Sequence, residues 1–166
     1  MYQDKYWKEL YQLKVHLNYL DLYMEDSEFK DKAINIFLAL TSSSSIAGWV
    51  VWQEAAIVWA IIIASSQVVT AIKVFLPYKA RLKSLGGVLH EIEDLMLYTE
   101  KKWFDVSEGK LTEEEIHELQ FEIRTRKTKA LKKHFGNNTV PEKSKLFNKA
   151  QESADIYFEN FYSVGG

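Results

Sequence analysis

The sequence predicts an all-α membrane protein: an N-terminal amphipathic helix, a two-helix transmembrane hairpin and cytosolic C-terminal helices, assembled as an oligomer. Three observations carry this. Two long apolar runs, Ala33–Trp52 and Ala55–Leu76, flank one polar break, Gln53-Glu54. Each is close to the ~20 residues that cross a ~30 Å hydrocarbon core at 1.5 Å per residue. Lys30 and Lys32 precede the first run, Lys73, Lys79, Arg81 and Lys83 close the second, and the turn has no basic residue. Elsewhere, apolar residues recur at three- and four-residue steps, the period of amphipathic helices.

The chain divides accordingly into 1–32 (N-terminal cytosolic helix), 33–76 (hairpin) and 77–166 (cytosolic helical region). Within 2–30, Tyr6, Leu10, Leu13, Leu17, Leu20 and Met24 form one stripe. The polar face is mixed in charge, so packing against protein is favoured over lying on a membrane. Asp26-Ser27 is expected to end this helix before the first span begins.

In the hairpin, Trp49, Trp52 and Trp59 cluster near the turn, as an aromatic belt would. The basic flanks place both chain ends in the cytoplasm and the Gln53-Glu54 turn outside. Thr41–Ser45 and Ser65–Gln67 fall at matching depths, and an antiparallel pairing sets Lys73 level with Asn35. Trp59, Ile63, Ser66, Thr70 and Lys73 share one helix face, and Ser42 and Ser45 share another with Trp49 and Trp52. These are the candidate pore-lining residues. The bland alternative is that the hydroxyls bond back to their own helices and merely permit close packing. A further alternative is a hairpin buried inside a soluble helical bundle.

Pro77 is expected to kink the chain beyond the second span. Tyr78–Trp103 continues as a helix with Leu82, Leu85, Leu89, Ile92, Met96 and Trp103 on one side. Gly86-Gly87 interrupts it, pointing to tight helix contact or a hinge. Asp105–Lys110 reads as a loop. Thr112 with Glu115 forms a capping box, and Leu111 with Ile116 suits a hydrophobic staple. The helix that follows runs to about His134, acidic at its start and basic at its end, as the helix dipole favours. Six basic residues between Arg124 and Lys133 exceed what a dipole needs. Arg124, Arg126, Lys127, Lys132 and Lys133 are therefore candidate ligands for an anion. Gly136-Asn137-Asn138 stops the helix. A last helix, about Glu142–Tyr162, turns Leu146, Phe147, Ala150, Ala154, Tyr157, Phe158 and Phe161 inward.

The composition excludes several chemistries. There is no cysteine, hence no disulfide framework and no thiol chemistry. No phosphate-cradling glycine motif, nucleophile elbow or zinc-protease motif occurs. His16, His90, His117 and His134 are scattered, and Glu91 and Glu93 show no complementary partner. No catalytic residue, metal site or cofactor is expected, and the chain does not read as an enzyme.

The architecture resembles the SLATT family of bacterial two-transmembrane effectors. The tail adds to this: LTEEEIHELQFEIRTRKTKAL, followed by NKAQESADIYF, is similar to the helical tail those proteins carry. Hailong-type channel effectors are similar in concept. The resemblance implies a membrane effector of antiviral defence, controlled by a nucleotide or oligonucleotide from a partner nucleotidyltransferase. One hairpin cannot enclose a conduit, so a homo-oligomer, expected as a tetramer in the lipid bilayer, would form the channel. The competing class is a non-conducting membrane anchor or scaffold that binds a partner protein.

Overall fold

The computed structural model describes residues 2–51, 56–75, 78–136 and 139–162, with side chains described outside 42–56 and 74–79. Five helices account for it: α1 (Tyr2–Val51), α2 (Ala56–Phe75), α3 (Tyr78–Ser107), α4 (Glu113–Phe135) and α5 (Ser144–Tyr162). The described residues contain no strand. They group into two compact units, Met1–Met24 with Lys83–Gly166, and Glu25–Leu82. Both α1 and α3 contribute residues to each.

The first unit holds the core. From α1, Tyr6, Leu10, Leu13, Leu17 and Leu20 are buried at the spacing expected. They meet Leu85, Ile92 and Met96 of α3, Ile116 and Ile123 of α4, and Ala150, Ala154 and Phe158 of α5. Small residues on α5 let two helices approach closely, while aromatic rings fill the wider gaps. Trp7 lies 5.0 Å from Trp103 and 4.9 Å from Phe158, centroid to centroid. Polar ends of α1 side chains fasten the neighbouring backbone. Tyr6 donates to the Thr99 carbonyl (3.0 Å), Gln3 to Val106 (2.9 Å) and Asn18 to Ala150 (3.2 Å).

The start of α4 has a specific local cause. The Thr112 hydroxyl accepts from the Glu115 amide at 3.3 Å, and the Glu115 carboxylate accepts from the Thr112 amide at 2.8 Å. This reciprocal cap holds the Glu115 carboxyl below its usual range. Leu111 and Ile116 both join the core. At the other end Gly136, at φ 60°, adopts a backbone that a side chain disfavours and returns its amide to the Lys132 carbonyl at 2.9 Å.

Three sequence expectations need correction. Helix α1 does not end at Asp26-Ser27 but continues to Val51. Asp and Ser are weak helix formers without being breakers. Here Ser27 is buried, and Lys30–Asp26 (2.8 Å) and Lys32–Glu28 (3.6 Å) support the turn as four-residue ion pairs. Helix α3 extends through Asp105 to Ser107, because buried Val106 anchors one more turn; only then does Gly109, at φ 65°, reverse the chain. Phe161 is 71% exposed and is not a core residue. Pro77, the Gln53-Glu54 turn and Asn137-Asn138 lie outside the described residues.

The second unit has a different surface. Phe29, Ile36 and Leu40 of α1 and Ile57, Val58, Ile61, Val68 and Ile72 of α2 are exposed. Among the described residues no helix is long and apolar enough to cross a membrane. The described side chains of α2 run from Ile57 to Lys73, within a helix of 20 residues carrying one charged side chain, Lys73. Lys73 donates its ammonium to the Asn35 side-chain carbonyl. That contact sets the antiparallel register expected from the sequence.

Candidate functional site

Helices α1, α4 and α5 and the segment after α4 line a half-open cavity of about 800 Å³ in the first unit. Its aromatic walls arise from periodicity. Trp7, Tyr11 and Tyr19 project from one side of α1; Phe135 comes from the end of α4 and Phe147 from α5. The Tyr19 hydroxyl closes one end. It donates to the Pro141 carbonyl and accepts from the Lys143 amide at 3.0 Å, which ties the segment before α5 to α1.

His16, Lys127 and Lys8 bring basic nitrogen atoms to this space. His16 Nε2 is screened from solvent and makes no hydrogen bond in the structure. Burial, with the Lys127 charge nearby, pushes the His16 imidazole down to about 4, so the ring is neutral at pH 7. Lys127 enters from α4. Burial holds its ammonium below the ordinary lysine range against the pull of Glu9, and Arg124 adds to the depression. Glu142, Gln12 and Gln151 supply polar groups around the walls.

The basic run of α4 does not converge on one patch. Arg124 donates from Nε (2.8 Å) and Nη2 (2.7 Å) to the buried Glu9 carboxylate. Arg126 pairs with Glu122 and lies over the Tyr98 ring, 4.5 Å from its centroid. Lys133 pairs with Glu91, which also lies 2.9 Å from His134 Nε2. These bonds hold the Glu91 carboxyl below its usual range, the Lys133 contact contributing most. Lys132 is exposed. Of the five candidate anion ligands, only Lys127 lines the cavity.

Two features escaped sequence reasoning. Glu91 has partners after all, on a helix 42 and 43 residues away. Lys127 stands apart from its neighbours because Leu131 and Phe135 follow it at four-residue steps, which puts a cation on an apolar stripe. That position was a usable signal.

On α2, Trp59, Ile63, Ser66 and Lys73 are half-buried and Thr70 is exposed. The partly covered face is the one that carries the Lys73–Asn35 contact. The Ser66 hydroxyl donates to the Ile63 carbonyl (2.8 Å), Thr70 to Ser66 (2.8 Å) and Thr41 to Phe37 (3.0 Å). Each thus satisfies itself within its own helix. The side chains of Ser42 and Ser45 lie outside the described residues. No group of metal-ligating side chains occurs among the described residues. Comparison with protein-family models, curated proteins and solved structures finds no match for this chain.

Proposed function

We propose that the chain inserts residues 33–76 as a hairpin into a bacterial inner membrane, with both termini cytoplasmic, and assembles there as an ion-channel effector of antiviral defence. A homo-oligomer, taken as a tetramer, encloses the conduit, and the helices of the first unit receive a nucleotide or oligonucleotide signal. The observation that carries this reading is the contrast between the units. The first has a buried core around Tyr6, Leu10 and Ile92, with Leu97, Phe104, Phe121, Ile156 and Phe161 exposed outside it; the second has none of the buried large apolar side chains and leaves Ile36 (60%), Leu40 (61%), Ile57 (78%) and Ile61 (61%) exposed among its described residues. Apolar surface of that extent calls for lipid or a partner subunit. The support for spanning is in the sequence: the runs Ala33–Trp52 and Ala55–Leu76 are each close to the ~20 residues that a ~30 Å hydrocarbon core requires, although no helix meets that requirement among the described residues. A ligand shifts such a channel only through unequal affinity for its closed and open forms.

Carbonate washing of membranes tests insertion: protein released to the supernatant refutes the hairpin. Conduction is tested by purified protein in liposomes. Ion flux that Ser66→Leu or Ser45→Leu reduces is expected, and liposomes that stay tight under every condition refute the channel. The back-bonded hydroxyls of Thr41, Ser66 and Thr70 favour a second reading, a non-conducting anchor, in which these residues only pack helices. In that case the protein stays in washed membranes but passes no ions.

A further inference from the structure

The cavity in the first unit has the size, walls and unmet bonding capacity of a ligand site. Its ~800 Å³ falls within the 300–1,000 Å³ typical of small-molecule pockets. Folding leaves two costs there. His16 Nε2 is buried with no partner, and a buried polar atom left without a bond destabilises the fold. The Lys127 ammonium is partly stripped of water, and no carboxylate lies within ion-pairing distance of it among the described residues, although Glu9 pairs with Arg124 close by. The other basic side chains of that run are bonded elsewhere or point to solvent. Tyr19 and Phe147, 6.3 Å apart centroid to centroid, line the same space one turn of α1 from His16. Stacking surfaces, one desolvated cation and one unsatisfied ring nitrogen together select a particular chemistry.

We propose that this cavity binds a small molecule with a planar aromatic ring and one acidic group, the ring beside Tyr19 and Phe147 and the acid against Lys127 and His16, which lies one turn of α1 from Tyr19. The neutral imidazole presents Nε2 as a donor or an acceptor according to its tautomer, so it complements either an ionised or a protonated acid oxygen. Such a ligand removes both costs at once. Glu142, Gln12 and Gln151 are placed to bond polar atoms on the edge of the ring. The site deepens the signal-receiving role proposed above and rests on it, but it lies in the folded helical unit and its binding is measurable without a membrane.

The test is calorimetric titration of the full chain in detergent. Two probes share the required chemistry and differ in source: AMP, a nucleotide, and indole-3-acetate, an aromatic carboxylic acid. Adenosine lacks the acid, and inorganic phosphate lacks the ring. Saturable binding of AMP or indole-3-acetate is expected, with adenosine and phosphate weaker by about tenfold or more. Binding of AMP alone identifies a nucleotide as the source; binding of indole-3-acetate alone identifies a non-nucleotide acid. Lys127→Met should weaken binding by about tenfold while Lys132→Met leaves it unchanged. Thr139→Trp, on the exposed segment of the wall, should block entry without touching the core. The inference fails if neither probe binds with a Kd below about 1 mM, if adenosine matches AMP, or if the two lysine variants behave alike. Binding without ion flux refutes the channel and leaves this site; flux without binding does the reverse.

Discussion

Gly86 and Gly87 sit side by side in α3, and substitution by alanine should act on them in opposite directions. Both are interior to the helix, so each gains the same relief of backbone entropy, about 0.5–1 kcal/mol. A Cβ at Gly86 meets nothing within 4 Å. A Cβ at Gly87 falls 2.5 Å from His134 Cε1 and 2.6 Å from Nδ1. Carbon atoms rest at about 3.5–4.0 Å, so the ring must retreat by about 1 Å. It has little room, since its Nε2 is 2.9 Å from Glu91 and its side chain is only 20% exposed. Overpacking of this kind costs about 1–3 kcal/mol. Because the helix-propensity gain is common to both variants, it cancels in the comparison. Gly86→Ala should therefore exceed Gly87→Ala in stability by about 1–3 kcal/mol, or about 3–10 °C in midpoint for a chain of this length. Thermal unfolding in one detergent, followed by far-ultraviolet circular dichroism, reads the difference. In a His134→Ala background the gap should shrink, because the obstructing ring is gone. A Gly87→Ala variant as stable as Gly86→Ala refutes the close packing of α3 on α4.

Other perturbations separate structural from ligand-facing charges. Arg124→Ala strands the buried Glu9 carboxylate and should cost about 2 kcal/mol by urea titration, whereas Lys132→Ala should be neutral within about 0.5 kcal/mol; equal losses would show that the Glu9–Arg124 pair does not support the fold. Thr112→Ala removes half of the capping box and should destabilise α4 by about 1 kcal/mol, with Thr112→Ser largely restoring it. His16 gives a pH dependence of definite sign. Its imidazole titrates near 4 when folded against about 6.5 unfolded, so the unfolded chain takes the proton first. The stability it contributes is fully present above pH 6.5 and is lost as pH falls through 4, by up to about 3 kcal/mol. Lys127 opposes that protonation, and Lys8 and Glu142 line the same cavity. His16→Gln should flatten the profile over this window, and an unchanged profile would place the acid sensitivity elsewhere.

What was legible in the sequence was what repeats or closes locally. The stripe from Tyr6 to Leu20 needed only three- and four-residue spacing, and Thr112 with Glu115 only a separation of three. The register of Lys73 with Asn35 followed from folding two runs about a short turn. The failures were of another kind. Asp26-Ser27 resembles a helix end by composition, yet propensity is a weak preference that buried Ser27 and two ion pairs override. Glu91 looked unpartnered because its partners come from a separate helix.

The basic run of α4 shows why charge density misleads where direction does not. A helix turns ~100° per residue, so neighbouring cations point to different surroundings. Arg124 meets Glu9, Lys133 meets Glu91, and Lys127 alone faces aromatic walls. Counting six positive charges suggests one electrostatic patch; placing them on the helix divides them into ion pairs, solvated ends and a single desolvated lysine. A cation already satisfied by a carboxylate has little to offer an incoming anion, since binding must first break an existing pair. A cation held in a partly dry cavity gains most from one. The residue to mutate first is therefore Lys127, whose value to a ligand comes from the apolar stripe it occupies and not from the charges beside it.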